Sequence, residues 1–294
     1  ALASLLDDDR WPPFEVRIDG DRPFLLTAPH SIFLRRDGEE PHVVESQTAE
    51  IASTMSAEMC GALLSWTQPE QQRAAVLWSI GNRRGADPGA YLDPRNRDPN
   101  FLTTEEVESN PWFREVQCVA QVWRDRFGPK VNTLHVDVHG CRNPPDSPSH
   151  LTIGLGAMCA EAARADPSGG ALLAVRAFGE ALEAEVKAAL SGLKLQPAAE
   201  LVRVVAPPMG EAKQAHSKFS GAWLPEAGRH TQAQQAVAFA GFTHSVQLEI
   251  SKALRTAMCK RGCSALLRLS NALRLAMVRS REAMAGKAPG SEKK

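Results

Sequence analysis

Short apolar runs of strand length alternate along the chain with longer segments in which apolar residues recur at helical spacing. Several of the short runs are continuously apolar, which is typical of strands buried on both faces of a parallel sheet. We therefore predict an α/β fold with a mixed, largely parallel β-sheet flanked by helices. The predicted strands are Phe14–Ile18, Phe24–Ala28, Ala75–Ile80, Leu134–His139, Leu151–Leu155, Leu201–Ala206 and Val246–Ile250.

Four other segments have the pattern of helices. Thr103 and Glu106 have the spacing of a capping box, which predicts that a helix begins there and reaches about Phe127. Pro111 lies inside that segment and should split it into two pieces, because proline cannot continue the helical hydrogen bonds. The other three predicted helices span 46–66, 174–193 and 264–284.

The length of 294 residues favours one α/β domain, which we predict over residues 1–285. Two long segments, 82–101 and 207–241, are rich in Pro, Gly and polar residues and lack regular periodicity. Long irregular segments in a compact domain are often functional. We expect the first to border a substrate site, the second to be a lid or insertion, and residues 286–294 to form a flexible tail.

Composition excludes several classes of function. Lys and Arg number 34, and so do Asp and Glu, so the net charge of zero predicts neither a nucleic-acid nor a membrane partner. No apolar run approaches the roughly 20 residues of a membrane helix. Among the six cysteines only Cys259 and Cys263 lie close together, which does not make a structural zinc site. We expect reduced, mostly buried cysteines and a cytoplasmic protein, although the first residue, Ala1, leaves a removed targeting segment open.

Three predicted strands each deliver one ionisable residue near their carboxyl end: His30, His139 and Glu249. The carboxyl ends of parallel strands meet at one edge of a sheet, where ligands bind. Two imidazoles are suitable ligands for a metal ion. A carboxylate in an apolar strand is costly to bury, which favours a role as a general base.

A catalytic zinc ion usually takes a third protein ligand. Glu45 directly precedes a predicted helix, so a tight turn would bring it back to His30. His42 forms an H-x-x-E pattern with Glu45 and is the alternative to His30, which we prefer because it ends a core strand. Asp137 shares a sheet face with His139, so it either accepts a hydrogen bond from the outer N–H of that ring or serves as the third ligand.

Four short motifs follow one another over about residues 20–255. They are Ala28-Pro-His-Ser, Asn96-Arg97, Asp137-Val-His-Gly and Val246-Gln-Leu-Glu-Ile-Ser. In these motifs and their order the chain resembles the N-formylglutamate amidohydrolase family. More distantly, it is similar to the zinc carboxypeptidases and to the succinylglutamate desuccinylase/aspartoacylase group. The resemblance implies the phosphorylase/hydrolase-like fold of the zinc carboxypeptidases.

The resemblance also implies a set of roles. Zn²⁺ would be held by His30, Glu45 and His139, and Glu249 would activate the attacking water. Arg97, beside Asn96, would grip a substrate carboxylate. The expected protein is then a zinc-dependent hydrolase that cleaves an amide bond in a small N-acyl amino acid or peptide with a free carboxylate. The alternatives are a carboxypeptidase that acts on C-terminal tails and an inactive binding protein that retains the fold.

Two features depart from the family pattern. Fifteen residues separate His30 from Glu45, where carboxypeptidases have three, and Ile32 replaces a common glycine. The resemblance therefore does not fix the substrate.

Four further residues belong to the prediction. Arg229 and His230, in the second irregular segment, are expected to close over the substrate. Cys141 is the alternative nucleophile if no metal binds. His135, on the same sheet face as His139, is either structural or part of the site.

Overall fold

The computed structural model describes residues 14–36, 38–40, 42–67, 97–195, 201–205, 219–223 and 227–285. Within these ranges the strands are β1 (Phe14–Ile18), β2 (Phe24–Ala28), β3 (Ala62–Trp66), β4 (Leu134–Cys141), β5 (Leu151–Gly154), β6 (Val202–Val205) and β7 (His244–Ser251). They form one sheet in the order β1-β3-β2-β4-β7-β5-β6. All neighbouring pairs are parallel except β1 with β3 and β5 with β7.

Helices cover both faces of this sheet. They are α1 (Thr48–Met59), α2 (Thr104–Ser109), α3 (Pro111–Phe127), α4 (Gly156–Ala165), α5 (Gly170–Leu190), α6 (Gln232–Gln235), α7 (Lys252–Met258) and α8 (Ala265–Ala285). One apolar cluster packs β2, β4, β5 and β7 against α1, α4, α5 and α8. A second packs the other face against α2, α3 and a π-helical turn at Ala236–Ala240. This arrangement confirms the predicted mixed, largely parallel sheet flanked by helices.

The predicted helix over 46–66 is wrong in its last third, residues 60–66. Helix α1 ends at Met59, and Cys60 takes a left-handed conformation with φ of 51°. At Gly61 a side chain would meet Phe24, since a Cβ there would lie 2.9 Å from the Phe24 Cβ atom. The residues that follow form β3, which is buried throughout and runs parallel to β2. A short, continuously apolar run does not distinguish strand from helix by periodicity, which explains the error.

The predicted break at Pro111 is confirmed. Helix α2 begins after a capping box formed by Thr103 and Glu106, and α3 begins at Pro111, where the missing N–H costs no helical hydrogen bond. The predicted strand Ala75–Ile80 and the tail 286–294 lie outside the described residues. The expectation of an irregular segment over 207–241 is wrong at its end, which is helical from Gln232 to Ala240.

All six cysteines are free, as predicted, but the expectation that most are buried is wrong. Cys159 is buried, Cys60 is exposed, and the other four are partly exposed. None of the described helices combines the length and the apolar character needed to cross a bilayer.

Candidate metal centre and active site

The sheet order places three predicted site residues at one edge. Strands β2, β4 and β7 are parallel neighbours, so their carboxyl ends lie side by side. His30 follows β2 by two residues, His139 lies near the end of β4, and Glu249 is its register partner on β7. All three side chains are buried. The strand ends therefore converge as the sequence predicted.

Glu45 lies between the two histidines. Its carboxylate Oε1 is 3.0 Å from Nδ1 of His30, and Oε2 is 3.3 Å from Nδ1 of His139. The chain turns back as expected, because the Glu45 N–H donates to the His30 carbonyl at 2.8 Å and the Thr48 hydroxyl donates to the Glu45 carbonyl at 2.8 Å. The N–H of Gly140 also donates to Oε2 of Glu45, at 2.8 Å. The fourteen intervening residues thus do not keep Glu45 from His30.

The outer nitrogens of both rings are held by aspartates. Nε2 of His30 lies 3.1 Å from Asp98, and Nε2 of His139 lies 2.9 Å from Asp137. Asp98 also accepts from the guanidinium of Arg36 at 2.6 Å. A ring N–H that donates to a carboxylate leaves the opposite nitrogen free to bind a metal and fixes the ring orientation. The sequence left two roles open for Asp137, and its position supports the one in which it orients the His139 ring.

The donor set fits zinc. One atom from each of His30, Glu45 and His139 can be chosen so that all three lie within 4.8 Å of one another. In a tetrahedral site with zinc bonds of about 2.0–2.1 Å, ligand atoms lie about 3.3 Å apart. The distances of 3.0 and 3.3 Å from Glu45 to the two Nδ1 atoms agree with this spacing. Two imidazoles and one carboxylate also match the ligand types of catalytic zinc sites.

The charges at the cluster stabilise one another. Burial opposes ionisation of Glu45, but His30 and His139 outweigh it and hold the pKa of Glu45 well below its ordinary value. Burial likewise opposes protonation of His139, but Asp137 and Glu45 raise its pKa well above its ordinary value. The pKa of His30 is also raised, since Asp98 and Glu45 outweigh its burial. Without a metal, protons therefore supply the positive charge that faces Glu45.

His42 and His135 lie beside the cluster. The His42 ring stacks on His30 with ring centres 3.6 Å apart, and its Nε2 is 3.5 Å from Glu45. Burial and the charge of His30 lower the pKa of His42 to about 3, so its ring is neutral. His135 bonds to Thr27 and Ser245, and burial lowers its pKa to about 4. Of the two roles predicted for His135, these hydrogen bonds support the structural role.

Glu249 has the ionisation behaviour of a general base. Burial raises its pKa to about 7; His139 opposes the rise, and Glu45 adds to it. The amide of Gln247 donates to Oε1 of Glu249 at 2.7 Å, which fixes the carboxyl group and leaves Oε2 for a proton. A carboxyl that titrates near neutral pH can both accept and return a proton.

A cavity of about 1010 Å³ opens over these residues, and His30, Glu45, His139 and Glu249 line it. Cys141 also lines it, but burial raises the pKa of this thiol to about 12. Cys141 is therefore protonated at neutral pH and is a poor nucleophile.

The predicted substrate-binding residues lie elsewhere. The guanidinium groups of Arg97 and Arg229 both bind the carboxylate of Glu106, and His230 Nε2 contacts the Thr104 hydroxyl at 2.9 Å. None of Arg97, Arg229 and His230 lines the cavity. Asn96 lies outside the described residues. Among the described residues, the cations of the cavity wall are Arg36, Arg142, Lys252 and Arg255.

Two residues at the site, Asp98 and Arg255, were not predicted from the sequence. Asp98 directly follows Arg97 in a hydrophilic stretch of the sequence. Nothing in that stretch indicates that its side chain is completely buried. Arg255 lies six residues after Glu249, in the helix that follows β7, where the amphipathic pattern gives no reason to single it out.

No protein-family model matches the chain, and no curated protein matches it in sequence. Solved structures that match it include a bacteriophage poly-gamma-glutamate hydrolase, with 13% identity over 92% of this chain and 91% of that one and a TM-score of 0.43. The succinylglutamate desuccinylase of Chromobacterium violaceum matches with 12% identity over 87% of this chain and 63% of that one, at a TM-score of 0.41. The N-formylglutamate amidohydrolase of Ralstonia eutropha JMP134 matches with 16% identity over 92% and 99%, at a TM-score of 0.39. Two of these proteins carry the names of groups that the sequence motifs resemble, but identities this low leave the activity to be inferred from the site.

Proposed function

We propose that the protein is a zinc-dependent hydrolase that cleaves an amide bond in a small N-acyl amino acid or a peptide with a free carboxylate. The observation that carries this proposal is the placement of Glu249, a carboxyl with a pKa of about 7, beside the His30–Glu45–His139 cluster in one cavity. A zinc ion held there would polarise the substrate carbonyl and make water a better nucleophile at neutral pH.

Residues of the chain would orient the histidine rings and transfer the proton. Asp98 and Asp137 hold the rings of His30 and His139 so that both Nδ1 atoms face Glu45. Oε2 of Glu249 takes a proton from the attacking water, and the same carboxyl then delivers it to the nitrogen of the leaving amine. Gln247 keeps Glu249 in place for both transfers. General acid–base help of this kind contributes about 10²–10⁴-fold to the rate.

The second irregular segment supports the proposal of a cover over the site. Phe219, Trp223 and Thr231 line the cavity, and the indole N–H of Trp223 donates to the carbonyl of Asn100 at 3.0 Å. These contacts favour a wall that excludes water from the cluster. The predicted clamp role of Arg97 would require its guanidinium to leave Glu106.

A carboxypeptidase acting on C-terminal tails is the second candidate. The cavity volume of about 1010 Å³ lies at the upper end of the roughly 300–1,000 Å³ of small-molecule sites, so the cavity also has room for the end of a peptide. We also propose a cytoplasmic location, which six unbonded cysteines support, Cys60 among them with an exposed side chain.

The direct experiment is metal quantification on protein purified without chelators, followed by a screen of N-acyl amino acids and short peptides. The proposal predicts zinc in the protein and release of an amine from at least one substrate class. Hydrolysis of N-acyl amino acids favours the first candidate, and removal of residues from longer peptides favours the second. Zinc without hydrolysis of either class would indicate a binding protein that retains the fold.

A further inference from the structure

A buried arginine without an acidic partner lies in the cavity wall. Arg255, on α7, is 5% exposed and lines the cavity. Its Nη1 donates to the carbonyls of Ile250 and Cys141, its Nε has no partner, and no described carboxylate forms an ion pair with it. Buried charges in proteins are normally paired, because leaving one unpaired is costly. No described carboxylate lies within ion-pair distance of this guanidinium, so its free donors are available to an anion that enters the cavity.

Gly140 provides the space for this guanidinium. A Cβ atom at residue 140 would lie 2.2 Å from Nη1, 2.6 Å from Cζ and 3.0 Å from Nη2 of Arg255. The planar group thus packs against the backbone of the residue that follows His139. The N–H of the same Gly140 donates to Glu45. A substrate group that reaches Arg255 would therefore lie beside the metal cluster.

The other guanidinium groups near the site are engaged or solvated. Arg36 is paired with Asp98, Arg97 with Glu106, and Arg142 is exposed. Burial lowers the pKa of Arg255, and the negative charges of Glu45 and Glu249 offset part of this from beyond contact distance. Nη2 of Arg255 makes no hydrogen bond within the described part of the chain. Arg255 thus combines burial, a free donor and access to the cavity.

We propose that Arg255 is a specificity-determining residue that binds the free carboxylate of the substrate, an assignment that rests on the proposed amide hydrolase function. The guanidinium offers several N–H donors in one plane, which matches the two oxygens of a carboxylate and which Lys cannot reproduce. Gly140 is required for the same binding site, because any side chain there would displace the guanidinium of Arg255.

The test compares N-acyl amino acids with their C-terminal amides, both as substrates and as ligands in calorimetric titrations. Two variants are compared. Arg255→Lys keeps the positive charge but removes the planar guanidinium group, and Gly140→Ala keeps the arginine but displaces its guanidinium. A charge-assisted hydrogen bond to a buried group corresponds to roughly 10- to 100-fold in affinity. We expect each variant to lower the preference for the carboxylate form over its amide by that factor. The double variant should lose no more than either single one.

Zinc content and thermal unfolding report whether each variant keeps its fold and metal. Arg97→Lys and Arg142→Lys are the matched controls, because Arg97 and Arg142 are the alternative binding residues for the same carboxylate. If one of them loses the preference while Arg255→Lys keeps it, or if the native enzyme treats acid and amide alike, the assignment of Arg255 is overturned and the hydrolase function stands. If the native protein hydrolyses nothing but binds the carboxylate form through Arg255, the proposed function falls and the anion site stands.

Discussion

Replacing Glu249 by Gln should stabilise the metal-free protein at alkaline pH. Burial raises the pKa of Glu249 from its ordinary 4.5 to about 7. The folded state therefore binds more protons than the unfolded state between these two values, so stability is lost as the pH rises through that window. Gln has the same shape and no charge, and its side-chain oxygen can still accept the bond from Gln247. The variant escapes the cost of burying the charge.

The magnitude follows from the two pKa values. Each pH unit between the folded and unfolded values corresponds to about 1.36 kcal/mol. The gain from Glu249→Gln should be about 1 kcal/mol at pH 5 and about 3 kcal/mol at pH 8.5. If the free energy of unfolding falls by about 3 kcal/mol per M urea, the larger gain moves the unfolding midpoint by about 1 M.

The assay is urea unfolding of both proteins at pH 5 and pH 8.5 with a chelator present. Glu58→Gln, at an exposed position on α1, makes the same chemical change away from the site. An equal gain in stability at both pH values, or a loss at pH 8.5, would refute the claim that burial destabilises the charged form of Glu249. Adding zinc should reduce the gain, because a nearby cation favours the charged form of Glu249.

Four further outcomes are expected. Glu249→Gln should retain zinc but lose about 10²–10⁴-fold in kcat, measured on the substrate found in the screen; loss of zinc would instead make Glu249 a ligand. The pKa values of His30 and His139 are raised, so zinc binding at pH 7 should release protons and tighten as pH increases. Calorimetry in buffers of different ionisation enthalpy measures that release, and its absence would mean that both rings are already neutral. Asp98→Asn should weaken zinc binding about 10- to 100-fold by removing the charge behind His30, in contrast to Glu108→Gln on the surface. The kcat/KM of the native enzyme should fall as the pH drops through the pKa of Glu249, which zinc holds below its metal-free value of about 7, since Glu249 must be ionised to take a proton.

The convergence of His30, His139 and Glu249 could be predicted because each lies at or near the end of an apolar strand. Parallel strands bring their carboxyl ends to one edge of the sheet, so position in the sequence alone located the site. Glu45 could be placed near His30 for a similar local reason, since it directly precedes a helix. The boundary of that helix was not predictable, because Ala62–Trp66 is apolar on both faces and has no period.

Arg97, Asp98 and Arg255 show what local pattern cannot supply. A sequence does not reveal that Glu106 binds the guanidinium of Arg97, since this contact depends on how a loop folds over α2. The burial of Asp98 depends on the same loop. Arg255 lies against Gly140, a contact between α7 and β4 that no spacing along the chain encodes.

The central claim is that His30, Glu45 and His139 bind one zinc ion, and metal content per chain tests it most directly. Native protein and a His139→Ala variant would be purified without chelators, equilibrated with a small excess of zinc, freed of unbound metal and measured by mass spectrometry of the metal. His244→Ala is the matched control, because His244 is a buried histidine at the opposite end of β7. The account predicts one zinc per chain in the native protein and the control and almost none in His139→Ala. Equal zinc in all three proteins, or none in the native protein, would contradict it.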